Sequence, residues 1–407
     1  MTQKIALTDK QMAILLATLT AIMPFSIDAY LPAIPNLAQD LNANIHHIEK
    51  SLSSFMFGVA LGQLMGGSIS DVKGRRSVAL SGLAIYIVSS LALALLQSVE
   101  QLLFFRMIQA IGGGMAAVMA GAVVRDFYDG RQAAQMFALI GIIMMAAPLA
   151  APMLGSILQS LGGWRTIFAF LMLYALMVFL LSWRFLPASQ HIGTFNRHFI
   201  RDVFARYYKV LQTKTALGFL FFQAFSFGSM FVFLTESPFI YMQLYHLSPH
   251  TYAWVFGCNI ITMGTFNRIT AWRLKHGSNA ENILLWGISI QLLANIAMLL
   301  FVYLDSQHLP PLALLVTCAM LSVGTQGLIT ANTQACFMHY FRAEGGSANA
   351  LLMASTSLIG ALMGWLATLL HNGTSFIMPS LMLAATLSGI TLLILFSRNV
   401  WQQKQAN

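Results

Sequence analysis

Long apolar runs, each about the length of a bilayer-crossing helix, alternate with short polar breaks along the whole chain. A helix needs roughly 20 residues to cross the hydrocarbon. The pattern predicts twelve membrane helices, near residues 12–35, 50–70, 77–97, 100–122, 134–159, 166–186, 214–236, 251–271, 282–304, 311–335, 347–370 and 376–397. Gly and Pro inside the runs do not count against them, because membrane helices tolerate both. The longest polar segment falls between the sixth and seventh runs. It predicts a six-helix bundle over residues 1–186, a linker over 187–213 and a second six-helix bundle over 214–407. Within the linker, Phe199, Ile200, Val203, Phe204 and Tyr207 recur at helical spacing with Arg197, Arg201 and Lys209 between them. That is the pattern of an amphipathic helix on a membrane surface, with a solvated linker as the other reading.

Composition agrees with lipid as the main solvent. Hydrophobic residues make up 57% of the 407 and charged residues 9%, against about 25% charged in a soluble domain. The first apolar run is too long for a signal peptide and is expected to be a permanent span. Charge then orients the spans. An even number of spans puts both termini on one side. The segments on that side carry 19 of the 22 Lys and Arg, only Lys50 and Arg165 fall on the other, and Arg106 lies inside a span. The positive-inside rule makes the terminal side cytoplasmic. The net charge of +9 is therefore topogenic, and no nucleic-acid partner is expected. Cys258, Cys318 and Cys336 lie in or beside apolar runs without metal-ligand spacing, so free thiols are expected, with no metal and no cofactor.

Charges inside the runs carry the candidate chemistry. Asp28 lies about 10 Å inside the expected outer end of the first span near Pro35, and Arg106 about 9 Å inside the fourth, at 1.5 Å per residue. Each charge alone costs on the order of 3 kcal/mol by insertion scales, which pairing or a wet cavity relieves. Desolvation favours the neutral form of a carboxyl group and a nearby guanidinium the ionised one. Asp28 is the candidate proton carrier. Arg106, which cannot lose its proton, is the fixed charge. The bland readings are a snorkelling Arg106 and an Asp28 that bonds backbone freed by Pro32 and Pro35. Glu236, at the outer end of span seven, is a candidate second acid but is expected at the interface. No other acid is expected deep in the membrane, and His46-His47 beside Glu49 reads as incidental outward polarity. Met23, Tyr30, Gln109, Phe225, Phe231, Asn259 and Asn332 are candidates for lining a substrate cavity, although such residues also face lipid or join helices.

The chain lacks H-E-x-x-H, G-x-S-x-G and G-x-x-x-x-G-K-[ST], so neither a hydrolase site nor an ATP-driven pump is expected. An ion gradient is the remaining energy source. A channel would not need two halves with a latch.

Gly67-Ser-Ile-Ser-Asp71-Val-Lys73-Gly74-Arg75-Arg76, after span two, resembles the signature of the major facilitator superfamily, with Val72 where a basic residue is usual. Arg106-Met-Ile-Gln109-Ala-Ile-Gly112 resembles the superfamily's span-four motif. Ala147-Pro148-Leu-Ala-Ala151-Pro152-Met-Leu-Gly155 resembles its antiporter motif. Prolines at i and i+4 remove two helical hydrogen bonds and bend a helix. More narrowly, Met23-Pro-Phe-Ser-Ile-Asp28-Ala-Tyr-Leu-Pro32, Arg125-Asp126-Phe-Tyr, Gly163-Trp164-Arg165 and Ser237-Pro-Phe-Ile-Tyr241 resemble the bicyclomycin-resistance (Bcr/CflA) family of drug:proton antiporters. Glu236 departs from that family, where a small residue is usual.

The resemblance implies two six-helix halves around a cavity, rocking between inward-open and outward-open states. It implies a proton-coupled exporter of small, mostly apolar or mixed-polarity antimicrobials in the bacterial inner membrane, working as a monomer. A proton-coupled exporter of a native metabolite, such as a sugar, amino acid or small peptide, is the alternative. It also implies a conformational latch in which Arg75 pairs with Asp126, with Arg76 beside it, and Asp71 meets the start of span eleven near Gly346-Ser347. The matching loop of the second half, Asn267 to Asn279, has Arg273, Lys275 and Gly277 but no acid in Asp71's place.

Overall fold

The computed structural model of the chain describes residues 7–128, 130–188, 199–304, 309–341 and 345–403. Among these there are helices and no strand. In chain order the helices are α1 (Asp9–Asp28), α2 (Ile34–Asp40), α3 (Ile45–Lys73), α4 (Arg75–Ala94), α5 (Val99–Phe127), α6 (Gly130–Gly162), α7 (Trp164–Phe185), α8 (Phe199–Gln212), α9 (Lys214–Pro238), α10 (Pro249–Lys275), α11 (Ala280–Leu304), α12 (Leu312–Gly324), α13 (Gln326–Met338), α14 (Gly345–Leu370) and α15 (Ile377–Gln403). A 3₁₀ turn, Leu31–Ala33, joins α1 to α2, and a π-helical turn, Phe239–Leu244, extends α9. The chain forms two compact units, Met1–Val203 and Phe204–Asn407.

Among the described residues, eleven helical stretches are long and apolar enough to cross a membrane. α1 with α2, α9 with its π turn, and α12 with α13 each count as one stretch. The span expected over 251–271 is the exception. α10 is 27 residues long, yet Asn259, Asn267, Arg268 and four Thr leave it too polar to qualify by composition. Residues 189–198 of the expected linker lie outside those described. So do Lys4, Arg197, Arg342 and Lys404 of the orienting charges.

In the first unit α3 packs along α5, α4 packs on α5 and α7, and α1 packs on α6, α5 and α7. The α3–α5 seam is made of glycine. A Cβ at Gly58 would strike the Met107 carbonyl, one at Gly62 the Ile111 backbone and one at Gly66 the Met115 backbone. These three sit four residues apart and share one helix face. In lipid, where burial adds little between helices, such small residues let backbones approach and gain dispersion contacts. Gly82 and Gly112 do the same between α4 and α5.

In the second unit α9 packs on α14, α15 and α13, α11 on α12, α13 and α15, and α10 on α12 and α13. One end is closed by an apolar cluster that includes Phe219, Phe222, Leu284, Ile329, Phe337 and Leu352, and Val210 anchors α8 to it. Deeper in, hydrogen bonds tie the helices together. Asn295 Nδ2 donates to Thr386 Oγ1 (2.9 Å), Ser229 Oγ (3.3 Å) and the Met382 carbonyl (3.3 Å), and its Oδ1 accepts from Ser322 (2.6 Å). One asparagine on α11 thus joins α9, α12 and α15. Gln326 donates to Ser226 (2.9 Å), which donates to Gln291 (3.0 Å).

Gly62→Val is expected to destabilise the protein by about 1–3 kcal/mol, the range for forcing extra carbons into a packed core. The check is the melting temperature in detergent, with Gly67→Val, where a Cβ meets nothing, as the neutral control.

Candidate functional site

α1 ends at Asp28 because the chain bends there. Pro32 has no N–H for the Asp28 carbonyl, so the helix gives way to the 3₁₀ turn and resumes at Ile34. Asp28 is 7% exposed. Among the described residues its carboxylate has no hydrogen-bond or ion-pair partner. α6 closes tightly over this bend. A Cβ at Gly155, the last residue of the proline motif, would collide with the Ala29 backbone. Pro148 and Pro152 lie inside α6, which continues through both.

Arg106 on α5 is fully buried. It forms no ion pair with Asp28; among the described residues no carboxylate lies within ion-pair distance of it. Aromatic rings take that place. Its guanidinium lies 4.2 Å from the Phe55 ring centroid, 4.8 Å from that of Tyr30 and 6.0 Å from that of Phe168. Desolvated cation–π contacts of this kind contribute up to about 2 kcal/mol. One guanidinium nitrogen donates to Gln109 Oε1 (2.9 Å), Gln109 Nε2 donates to Ser90 Oγ (2.8 Å), and Ser90 donates to the Tyr86 carbonyl (2.7 Å). The Tyr86 and Ser26 hydroxyls are 2.5 Å apart. The chain of bonds thus runs from Arg106 on α5 across α4 to the α1 turn that bears Asp28. Nε and one terminal nitrogen of Arg106 remain without a partner. The two charges share one unit, joined through polar side chains and not by direct contact. The snorkelling reading fails, because the guanidinium is enclosed.

The other candidates fall into place around this frame. Tyr30 is buried and its hydroxyl meets Ser51 Oγ at 3.0 Å. Met23 is half-buried against α5, where Gly113 leaves room for it. Phe225 is half-buried near Gly389. Phe231 is fully buried, stacked on Phe227 with ring centroids 6.2 Å apart. Asn259 and Asn332 are turned back on their own helices. Asn259 Nδ2 donates to Val255 and Phe256 carbonyls, and Asn332 Nδ2 to that of Leu328.

Two acids depart from expectation. Glu236, expected at the interface, is at the end of α9 but shielded from solvent. It is fully buried in the second unit, with Oε2 3.0 Å from His371 Nδ1. His371 follows α14, 135 residues away in the chain, which no local pattern could signal. Glu49 is also fully buried, and His46 Nδ1 lies 2.7 Å from its Oε2. This was legible. Ile45, Ile48, Glu49 and Leu52 lie at i, i+3, i+4 and i+7, one helical face, and all are buried.

At the other end of the first unit Arg75 bridges two carboxylates. It donates to Asp71 Oδ1 at 2.7 Å and to Asp126 Oδ2 at 2.9 Å, and also bonds Ser70. Arg76 donates to the Trp183 carbonyl at the end of α7. α3, α4, α5 and α7 are thereby fastened at their ends. In the second unit Arg273 lies over the Trp286 ring instead, 4.3 Å from its centroid.

Residues 15–365 match the Major Facilitator Superfamily. The chain belongs to that superfamily. It is a multi-pass membrane transporter and not an enzyme. It is 29% identical over 362 residues to the bicyclomycin resistance protein homolog of Haemophilus influenzae, an overlap of 88% of this chain and 89% of that one. It is 36% identical over 183 residues to the chloramphenicol resistance protein of Pseudomonas aeruginosa, which covers 43% of this chain and 44% of that one. In fold it is similar to the xylose transporter XylE of Escherichia coli in a partially occluded inward open conformation. The TM-score is 0.70 with 13% identity, over 95% of this chain and 96% of that one.

Gln109→Leu removes the hydrogen-bond acceptor of a buried guanidinium. It is expected to destabilise the transporter by at least about 1–3 kcal/mol, read as a lower melting temperature in detergent. An unchanged value would mean that Arg106 does not depend on this bond.

Proposed function

We propose that this transporter is a proton-coupled drug antiporter, exporting small apolar or mixed-polarity antimicrobials by alternating access. The drug part rests on the relatives named for resistance to bicyclomycin and chloramphenicol. The proton part rests on one observation: Asp28 is a buried carboxylate without a cation partner at the bend between α1 and α2. An uncompensated anion there costs several kcal/mol. It also sits at the negative end of α1's dipole. Two states relieve that cost, a protonated one and one in which water or drug reaches the group. A group that must choose between them as the protein changes state can carry a proton.

Arg106 supplies the fixed charge. Its aromatic cage and the Gln109–Ser90–Tyr86–Ser26 chain hold it in the same unit as Asp28, so the field at the α1 bend depends on where the guanidinium sits. Glu236, paired with His371, is the candidate second acid. The Asp71–Arg75–Asp126 cluster is the latch, with Arg76 at its side, and the Pro148–Pro152 segment of α6 bends over the Asp28 joint during transport. We assign α10 as a twelfth span, with Thr262 and Thr270 against α12 and α13. Gly324 and Gly327 there let it approach closely, as a Cβ on Gly327 would strike the Met263 carbonyl. Twelve spans put both termini in the cytoplasm of a bacterium, with the protein in its inner membrane and working as a monomer.

In inverted vesicles, chloramphenicol uptake is expected to collapse when a protonophore removes the proton gradient. Asp28→Asn is expected to remove gradient-driven uptake while the protein still binds drug. Undiminished uptake by that variant would exclude Asp28 as the carrier. Arg75→Ala breaks two ion pairs at once and is expected to slow uptake several-fold with drug affinity unchanged; loss of affinity instead would overturn the latch.

A further inference from the structure

The first unit holds a second buried carboxylate that the proposed cycle does not use. Asn44 caps α3, its side chain accepting from the His46 N–H at 2.9 Å. The cap places His46 in the first turn, with Glu49 one turn on. The imidazole Nδ1 lies 2.7 Å from Glu49 Oε2. The Glu49 side chain is 0% exposed and that of His46 14%. The imidazole therefore stands between a dry carboxylate and the end of the unit.

On its inner side Glu49 neighbours Tyr30. The phenol hydroxyl bonds Ser51, two residues along α3 from Glu49, and the phenol ring lies under the Arg106 guanidinium. The charges of Glu49 and Arg106 both reach the Tyr30 hydroxyl. The other ionisable groups at this end are engaged elsewhere or point outward. Asp40 on α2 accepts from Trp164 Nε1 (2.9 Å) and Arg165 (3.1 Å) of α7. Glu100 on α5 interacts with Ser98 and with His47 of α3. Lys50, beside Glu49 in sequence, is partly exposed.

We propose that Glu49 and His46 form a second proton-binding site of this transporter, at the end of the first unit where α2 meets α3, linked to Arg106 through Tyr30. It deepens the antiporter reading and rests on it for its role in transport, though not for its chemistry. A hydronium ion gives a proton to His46 Nε2 and leaves as water, and the Nδ1 proton passes to Glu49 Oε2. One hydronium O–H bond and one N–H bond break, and one N–H bond and one carboxyl O–H bond form. The imidazole ends neutral in its other tautomer and the carboxylate ends neutral. The reverse step releases the proton. Each loading changes the charge beside Tyr30, and so beside Arg106, by one unit. His46 is the positioning and relay residue; Glu49 is the proton's resting place.

The test is pH-difference infrared spectroscopy of the whole protein in lipid nanodiscs. The wild type is expected to show a protonated-carboxyl band that Glu49→Gln removes and Asp28→Asn retains. His46→Gln, which keeps the acid but loses the relay, is expected to shift the pH at which that band appears. A spectrum unaltered by Glu49→Gln would overturn the site, even if Asp28→Asn abolishes coupling. If Asp28→Asn transports fully while the Glu49 band is present and His46-dependent, the antiporter reading of Asp28 falls and the site stands.

Discussion

An ionisable group inside a membrane-spanning bundle must be paired, enclosed by polarisable partners or neutral, and this constraint organises the transporter. Lipid offers none of the solvation that makes a surface charge cheap. The chain meets the constraint in different ways. Arg106 is wrapped by Phe55, Tyr30 and Phe168 and bonded to Gln109. Glu49 and Glu236 each hold a histidine. Asp28 alone of these has no partner among the described residues, and it lies where a helix breaks. Asp28, left without a partner, is the proposed carrier of the exchanged proton, and Glu49 with its histidine the proposed second site.

The scaffold makes this arrangement affordable in space. Glycine on α3, α4 and α5 brings the backbones of these helices together, in the same unit as Arg106 and its aromatic cage. Gly155 lets α6 press on the Ala29 backbone, beside the acid. α6 and the Asp28 bend are thus in direct contact. At the far end of the same unit, Arg75 joins Asp71 on α3 and Asp126 on α5. The helix that carries Arg106 thus carries Asp126, an acid of the Arg75 cluster, at its other end.

Much of this is written in the sequence, because lipid imposes simple rules. The apolar runs give the helices, and the loop motif after α3 gives the Arg75 cluster. α10 is less legible because its polar residues lower its mean hydropathy whether they are buried, as Asn259 and Thr270 are, or exposed, as Asn267 and Arg268 are, and a hydropathy pattern cannot distinguish the two. The burial of Glu236 is hidden in the sequence because its partner, His371, follows α14, far along the chain. Asn295 looks like one polar residue in an apolar run, yet it bonds three neighbouring helices. Glu49 is the instructive case. Read as part of a polar stretch it is a loop residue; read by helical period it falls on the buried face with Ile45, Ile48 and Leu52. The similar depth of Asp28 and Arg106 leaves a direct pair or a wet cavity open, and among the described residues no direct pair forms, because depth fixes only one coordinate. The rotation of each helix, set by packing, points the guanidinium at aromatic rings.

The most direct measurement mixes purified transporter with chloramphenicol in weakly buffered solution and follows pH with an indicator. The account expects wild-type protein to release protons on binding drug, and Asp28→Asn to bind drug with no release. Equal release by both proteins would contradict it, because the exchanged proton would then reside on another group.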